Sequence, residues 1–302
     1  MSSTTLQPHI EATPNATPEE EYPLSRAAQG NTVNWTNLLF LIFFHAAAIA
    51  ALFFFTWQAA LVALFLWFVT IYVGIGIGYH RLLTHRGFKV SRPLKWLLAI
   101  CGSLALEGGP IFWVVNHRIH HQRTDKLGDP HTPEEGGWWS HAGWVLTGTG
   151  LSNQPQLVAK YAPDLLADPF LVWIGKYHWL PLAVLSIALY AIGGWSWLLW
   201  GTFLRVTLGL HAVWFVNSAT HMWGSRRFAT KDNSRNLWWV AALTGGEGWH
   251  NNHHAHPVSA RHGLAWYEID INYYTIWLLG KLGLATNIQT APMVSATKPQ
   301  AK

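Results

Sequence analysis

Four long apolar stretches constrain this chain more than any other feature of its sequence. They cover approximately residues 38–57, 59–79, 170–192 and 195–216. Each stretch is close to the ~20 residues that a helix needs to cross ~30 Å of hydrocarbon. Because lipid offers no partner to backbone polar groups, a spanning segment of this kind must be helical. The pattern therefore predicts an all-α integral membrane protein with four transmembrane helices.

The composition agrees with this prediction. Hydrophobic residues make up 50% of the 302 residues and charged residues only 12%, whereas a soluble domain carries about 25% charged residues. The single Cys101 excludes an internal disulfide and a Cys-based zinc or iron–sulfur site. The net charge of +5 suits the anionic cytoplasmic leaflet. We find no nucleic-acid motif, and we expect no nucleic-acid partner.

The apolar stretches pair into two hairpins, because only Gln58 and residues 193–194 remain for the turns between them. The turns contain no Lys or Arg, whereas residues 80–169 contain nine and residues 217–302 contain eight. The positive-inside rule therefore places both polar segments and both termini in the cytoplasm. We expect two transmembrane hairpins beneath a helical cytoplasmic cap.

Three further segments have their own composition. Residues 1–34 are rich in Thr, Pro, Ala and Glu and have no apolar run, so we expect a disordered N-terminal tail and no signal peptide. Residues 35–287 form the predicted membrane domain, and residues 288–302 a flexible C-terminal tail. The apolar run from Leu94 to Leu106 is too short to span, which favours an interfacial or half-buried helix.

Small and aromatic residues mark helix contacts and membrane boundaries. Gly74, Gly76 and Gly78 lie inside an apolar stretch, where glycines allow close approach of a neighbouring helix. Several Trp residues lie near predicted span ends, which fits either an interfacial aromatic belt or core packing. They are Trp57, Trp173, Trp179, Trp195, Trp197 and Trp200.

Nine histidines predict a metal site. The spacing H-x-x-H-H occurs twice, and residues three and four apart share one face of an α-helix. Nine nitrogen donors exceed the four of a tetrahedral zinc site. The pattern therefore predicts a site for more than one metal ion, and neutral imidazole suits Fe, Zn, Cu and Ni. The nine are His80, His85, His117, His120, His121, His221, His250, His253 and His254.

The spacing of His80 and His85 is less easily placed. Five residues correspond to ~140° on an α-helix, so either one of the pair lies beyond the helix end or the two serve different faces of the site.

Nearby carboxylates have two interpretations: they orient metal-bound histidines, or they are ordinary surface charges. These carboxylates are Asp125, Asp129 and Glu247. The remaining histidines are expected to be packing or surface residues: His9, His45, His131, His141, His178, His211, His256 and His262.

The order of the histidine runs, with hairpins between them, resembles the membrane-bound fatty acyl desaturases. The resemblance is closest to the Δ9 (stearoyl-type) branch, and within it to bacterial and cyanobacterial acyl-lipid members. It extends over residues 35–287. The segments that carry it are Gly78–Arg86, Trp113 with His117–His121, Gly128–His131, Trp138–His141, Asn217–His221 and Gly246–His254.

The resemblance implies a di-iron centre that uses O2 as co-substrate. It implies insertion of a cis double bond into a saturated acyl chain by hydrogen abstraction. Asn217 would hold a water at the second iron, and Trp113 would lie near the substrate tunnel. The implied ligands of the first iron are His80, His85, His117, His121 and His253, and those of the second are His120, His221, His250 and His254.

The chain departs from the acyl-CoA-using animal members at one point. Where those members have charged residues before the second histidine run, this chain has Val114, Val115 and Asn116. We therefore favour acyl chains of membrane lipids over acyl-CoA as the substrate. No cytochrome b5-like domain is fused to the chain, so we expect a separate electron donor, such as a ferredoxin or a cytochrome b5-type carrier.

Two other functions share some of these features. A related di-iron hydroxylase or ketolase would have the same histidine clusters. A metal transporter or a His-rich metal-binding membrane protein belongs to a different class. A transporter places its ionisable residues along the spans, whereas the clusters here lie outside the apolar stretches. This placement favours a fixed catalytic centre.

Overall fold

The computed structural model describes Arg26, residues 32–147 and residues 154–294. These residues are mainly helical, and the fold is built from helices of very different length. The α-helices are α1 Trp35–Ala51, α2 Trp57–Trp67, α3 Arg92–Ser103, α4 Pro110–Arg123, α5 Trp144–Leu146, α6 Pro155–Tyr161, α7 Pro163–Leu166, α8 Pro169–Lys176, α9 Leu180–Leu198, α10 Arg205–Asn217, α11 Ala219–Met222, α12 Trp238–Thr244, α13 His250–Ala255 and α14 Ile271–Lys281.

Other windings extend or connect these helices. The segments Phe68–Thr84, Trp139–Gly143 and Leu199–Leu204 are π-helical, and Leu52–Phe54 and Pro133–Glu135 are 3₁₀ turns. The two-residue strands Lys89–Val90 and Ala285–Thr286 pair antiparallel, with Lys89 opposite Thr286. The expectation of a mainly helical protein is thus confirmed.

Three helical segments of the described residues are long and apolar enough to cross a membrane. They are Trp35–Phe54, Trp57–Thr84 and Leu180–Met222. The first two correspond to the predicted spans at 38–57 and 59–79. Trp57 begins the helix that follows the turn between them and is 74% exposed, as an aromatic residue at a membrane boundary should be.

The third segment, of 43 residues, reverses its direction at Gly194. This residue has φ 61° and ψ −154°, a conformation that only glycine adopts readily. Ser186 and Thr202, eight residues to either side, face each other with hydroxyl oxygens 2.9 Å apart. The part after Gly194 corresponds to the predicted span at 195–216.

The predicted span at 170–192 is interrupted. The chain leaves helical geometry after α8, at Tyr177–Trp179, and α9 begins at Leu180 with Pro181 in its first turn. Proline has no N–H to donate to the carbonyl oxygen four residues earlier, here that of Tyr177, so a regular helix cannot continue through this point. One continuous apolar run is therefore divided into a short helix and a longer one.

The glycine-rich part of the second apolar segment lies against α3. A Cβ at Gly74 would be 2.4 Å from the backbone carbon of Cys101, and one at Gly78 would be 3.0 Å from the carbonyl oxygen of Leu98. The close approach predicted for these glycines is confirmed. Helix α3 is half-buried, with Leu97 55% exposed and Leu98 buried, in agreement with the expectation for residues 94–106.

Gly74→Ala should destabilise the fold by about 1–3 kcal/mol, because the added methyl group meets backbone that cannot move aside. The measurement is the thermal unfolding of the detergent-solubilised protein. Gly175→Ala is the matched control, since a Cβ at Gly175 meets nothing within 4 Å. Equal unfolding temperatures for the two variants would contradict the close contact at Gly74.

A chain of three imidazoles joins the first and last apolar segments to the π-helical segment Trp139–Gly143. Nδ1 of His45 donates to the carbonyl oxygen of Leu41 (2.6 Å), so its Nε2 accepts from Nε2 of His211 (3.0 Å). Nδ1 of His211 then accepts from Nε2 of His141, again at 3.0 Å. These histidines, expected to be simple packing or surface residues, form a polar contact that holds α1 against α10.

The two predicted tails are partly described. Most of residues 1–34, including His9, lies outside the described residues. At the other end, the chain is hydrogen-bonded to the body well past residue 287: Gln289 N donates to Gly87 O (2.8 Å) and Val294 N donates to Leu264 O (2.9 Å). Residues 288–294 of the expected flexible tail are therefore held in place.

Candidate metal centre

The nine predicted histidines converge from four parts of the fold. His80 lies in the last turn of the π-helical segment that extends α2, and His85 follows its end. Helix α4 carries three histidines and α13 carries another three, and the short α11 carries His221. The donor nitrogens form two groups, within each of which all atoms lie within 4.8 Å of one another. They are His80, His85, His117, His121 and His253, and His120, His221, His250 and His254.

The π winding explains how His80 and His85 share one face. The backbone N–H of His85 donates to the carbonyl oxygen of His80 over 3.1 Å, which is an i→i+5 hydrogen bond. The wider winding brings residues five apart close together, and the two rings meet edge to face with centroids 4.8 Å apart. Of the two expectations for this pair, the first is confirmed, because His85 lies just beyond the helix end.

In the five-histidine group the Nε2 atoms point at one another. Nε2 of His253 lies 3.1 Å from that of His80 and 2.9 Å from that of His121, and Nε2 of His121 lies 3.1 Å from that of His117. Nδ1 of His80 donates to Glu247 (2.6 Å). In the neutral ring, Nε2 then carries a lone pair and can act as a metal donor.

In the four-histidine group the same arrangement recurs. Nδ1 of His221 donates to Asp125 and Nδ1 of His254 donates to Asp232, each at 3.1 Å. Both rings therefore turn an Nε2 lone pair to Nε2 of His250, 3.0 Å away in each case. A single ring proton cannot satisfy two lone pairs, so a cation between the rings is the arrangement that fits these donors.

Burial keeps most of these rings neutral. Removal from water, followed by the proximity of other imidazoles, holds the pKa of His117, His121, His250, His253 and His254 well below the ordinary value. Neutral imidazole is the ligand form of histidine. These five rings therefore offer donor atoms without first having to lose protons at neutral pH.

Four carboxylates orient the rings, one more than the sequence suggests. The hydrogen bonds expected of Asp125, Asp129 and Glu247 are present, the second with Nδ1 of His120 at 3.0 Å. Asp232 was missed, because it lies 22 residues from His254 in a segment without a histidine run. It accepts in addition from Ser234 N and Thr230 Oγ1.

A buried ion network supports the five-histidine group from behind. Arg81 is 1% exposed and donates to Glu247 (3.0 Å) and to Asp270 (3.0 Å). Burial would raise the pKa of Glu247, but Arg81 and His80 outweigh it and hold the pKa well below its usual range. Glu247 therefore remains an anion that fixes the ring of His80.

Two histidines expected to be packing or surface residues belong to the site. The ring of His131 lies 4.5 Å from that of His120, and the ring of His262 lies 4.4 Å from that of His253. Burial, together with nearby charges, lowers the pKa of His131 to about 3 and that of His262 to about 4. Neither residue stands in a histidine run, so the spacing of histidines could not indicate them. Only the family resemblance included His131, within the segment Gly128–His131.

A cavity of about 580 Å³ reaches the five-histidine group, a size typical of ligand pockets. Trp113 lines it and stacks on His117, with ring centroids 4.9 Å apart. Asn217 lines it as well. Val114 and Val115 are completely buried, so the residues before the second histidine run present no charged group to a soluble carrier.

These features define a class: a helical membrane protein with two adjoining multi-histidine sites that fit metal ions, beside an apolar cavity. Comparison with known proteins gives the family. The sequence profile of the family described as fatty acid desaturase matches residues 55–277. The chain therefore belongs to the fatty acid desaturase family, whose members are oxidoreductases.

Individual relatives match over most of their length. An sn-2 palmitoyl-lipid 9-desaturase of Nostoc sp. is 44% identical over 89% of this chain and 95% of its own. An sn-1 stearoyl-lipid 9-desaturase of Anabaena variabilis is 45% identical over 86% of this chain and 95% of its own. An icosanoyl-CoA 5-desaturase of Limnanthes douglasii is 40% identical over 93% of this chain and 81% of its own.

Asp232→Asn should weaken metal binding at the four-histidine group by about 10–100-fold, because the ring of His254 loses its anionic hydrogen-bond partner. The affinity is measured by competition with a chelator. Glu134→Gln is the matched control: this exposed carboxylate accepts from Asn233 Nδ2 (2.8 Å), and it has no bond to a histidine. Unchanged affinity in Asp232→Asn would show that the carboxylate does not orient a ligand.

Proposed function

We propose that this protein is an O2-dependent acyl-lipid desaturase that introduces a cis double bond at position 9 of a saturated acyl chain. The observation that carries the proposal is the juxtaposition of two multi-histidine sites with an apolar cavity. The cyanobacterial relatives, named as 9-desaturases of lipid-bound chains, support the position of the double bond and the lipid substrate. The buried Val114 and Val115 also support a lipid substrate.

Two iron ions are the proposed metals. His80, His85, His117, His121 and His253 would hold the first, and His120, His221, His250 and His254 the second, with Asn217 holding a water beside it. Iron, when bound, would activate O2. Activated oxygen is needed because hydrogen must be removed from unactivated methylene carbons. The donor set supports this assignment, because imidazole is a common iron ligand.

The protein side chains position the substrate and exclude water. The cavity surrounds the chain, and Trp113, held by its Nε1–H bond to Glu107 (3.1 Å), presses one segment toward His117. The reaction joins O2, two protons, two electrons and one –CH2–CH2– unit into –CH=CH– and two waters. The electrons come from a separate carrier, for which we propose a ferredoxin or a cytochrome b5-type protein.

We propose four membrane crossings, with the metal centre and both termini on the cytoplasmic side. The reversal at Gly194 supports two crossings for the segment Leu180–Met222. The distribution of Lys and Arg, absent from both turns and abundant in both cap segments, supports the orientation.

Cells that express this chain should gain C16 or C18 monoenes with the double bond at position 9, and only in the presence of O2. Gas chromatography of total fatty acids, with location of the double bond, checks this result. Hydroxy or keto acids in place of monoenes would instead identify a di-iron hydroxylase or ketolase.

His120→Ala should abolish the monoene, because a metal ligand is lost from the buried centre. His256→Ala is the matched control, since its ring lies outside both histidine groups and contacts Phe228. Membrane levels of both variants are compared by immunoblot. Full product from His120→Ala would overturn the ligand assignment.

The purified protein should contain two irons per chain by elemental analysis. The nine imidazole donors form two groups, and each group fits one ion. One zinc per chain and metal flux in vesicles would contradict the proposal and support a metal-transporting protein.

A further inference from the structure

The residues that line the cavity beside the metal centre differ widely in exposure. Those that reach the histidines are buried: His117 is 7% exposed and His131 is 3% exposed. The exposed lining residues are Thr36 and Trp179, the latter 53% exposed. We therefore place a mouth of the cavity between the start of α1 and the turn that separates α8 from α9.

This mouth lies at the level where two spans begin. Thr36 is the second residue of the apolar segment Trp35–Phe54, and Trp179 directly precedes Leu180–Met222. Trp35 is 67% exposed and Trp173 is 45% exposed, as expected of aromatic residues at a membrane–water interface. The mouth therefore faces the edge of the bilayer.

The distance from the mouth to the metal ligands suits an ester-linked chain. Gly109, just before α4, touches Gly175 at the end of α8, and Gly175 lines the cavity. Eight residues of helix, or ~12 Å, separate Gly109 from His117. This length is comparable with the stretch of chain between an ester and its ninth carbon.

We propose that the acyl chain of an intact membrane glycerolipid enters sideways through this mouth, with its ester held beside Thr36 and His178. The proposal rests on the proposed function and adds the route and the seat of the ester. A carrier dissolved in water would reach a mouth on the cap, whereas this mouth is reached from the leaflet.

The polar groups at the mouth match such a ligand. The hydroxyl of Thr36 can donate to an ester carbonyl, which only accepts. Nδ1 of His178 lies 3.3 Å from the carbonyl oxygen of Gly175 and therefore donates to it. Nε2 of the neutral ring is then an acceptor, which suits a hydroxyl group of a glycerol or sugar headgroup.

A blocking variant tests the route. A Cβ at Gly175 meets nothing within 4 Å, so Gly175→Phe adds bulk at the cavity wall without a backbone clash. It should lower the desaturation rate of stearoyl-phosphatidylglycerol in vesicles by about tenfold or more, because the chain can no longer reach its position. Val172→Phe, on the exposed face of the same helix (42% exposed), is the control and should retain the wild-type rate.

Photolabelling tests the mouth without relying on activity. The probe is phosphatidylglycerol with a diazirine next to the ester of its sn-1 stearoyl chain, irradiated in vesicles with the full-length protein. Peptide mass spectrometry should find adducts concentrated at residues 36–37 and 178–179. Adducts spread evenly over lipid-facing positions such as Ile187, or confined to exposed residues beside the histidine helices such as Val258, would overturn the proposal.

The two proposals fail in different ways. A wild-type protein that forms no monoene from lipid-bound or CoA-bound stearoyl chains contradicts the proposed function, while the labelling still decides whether a lipid enters at the mouth. A wild-type protein that desaturates, with Gly175→Phe as active on lipid as Val172→Phe, contradicts the lateral route and leaves desaturation intact.

Discussion

The rest of the structure is built around buried imidazole nitrogens whose lone pairs face one another and therefore repel. Four rings at the centre are each fixed from behind by a carboxylate, as His221 is by Asp125 and His254 by Asp232, so these rings cannot turn away without losing a buried hydrogen bond. Unbalanced, this arrangement would cost free energy at every facing pair. A cation bound between the rings would make these interactions attractive. The helices that carry the histidines would then hold the donors in a geometry that the bound metal stabilises.

The ring supports extend to the membrane segments. Arg81 links Glu247 to Asp270, which in turn caps α14 by accepting from Tyr273 N (2.9 Å). A buried arginine with two carboxylates is stable only when all partners are present. The metal centre, the end of the second apolar segment and the last helix therefore form one unit, and damage to one part reaches the others.

Much of this arrangement could be predicted from the sequence, because its signals are local. The H-x-x-H-H spacing predicted rings on one face of α4 and of α13, and apolar length predicted the helical segments. Other features depend on geometry that no spacing rule contains. The π winding that brings the ring of His85 beside that of His80 changes the helical period itself.

The remaining surprises depend on contacts between distant residues. Asp232, His131 and His262 reach the site through tertiary contacts, and His45 meets His211 from 166 residues away. The apolar pattern likewise predicted a continuous helix through residues 177–179. The structure has a turn there, because Pro181 cannot donate the hydrogen bond that would continue the helix. These features become visible only when the neighbours across the fold are known.

The reversal at Gly194 has a consequence for how this protein meets its surroundings. Gly193 packs so closely that an added Cβ would lie 2.0 Å from the ring of Trp197, so the polypeptide doubles back almost without a loop. If the four crossings proposed above hold, the compartment opposite the metal centre meets only two such bends. A protease, a glycan-adding enzyme or an antibody confined there would then find almost no accessible backbone, and turnover of the protein would begin from the other face.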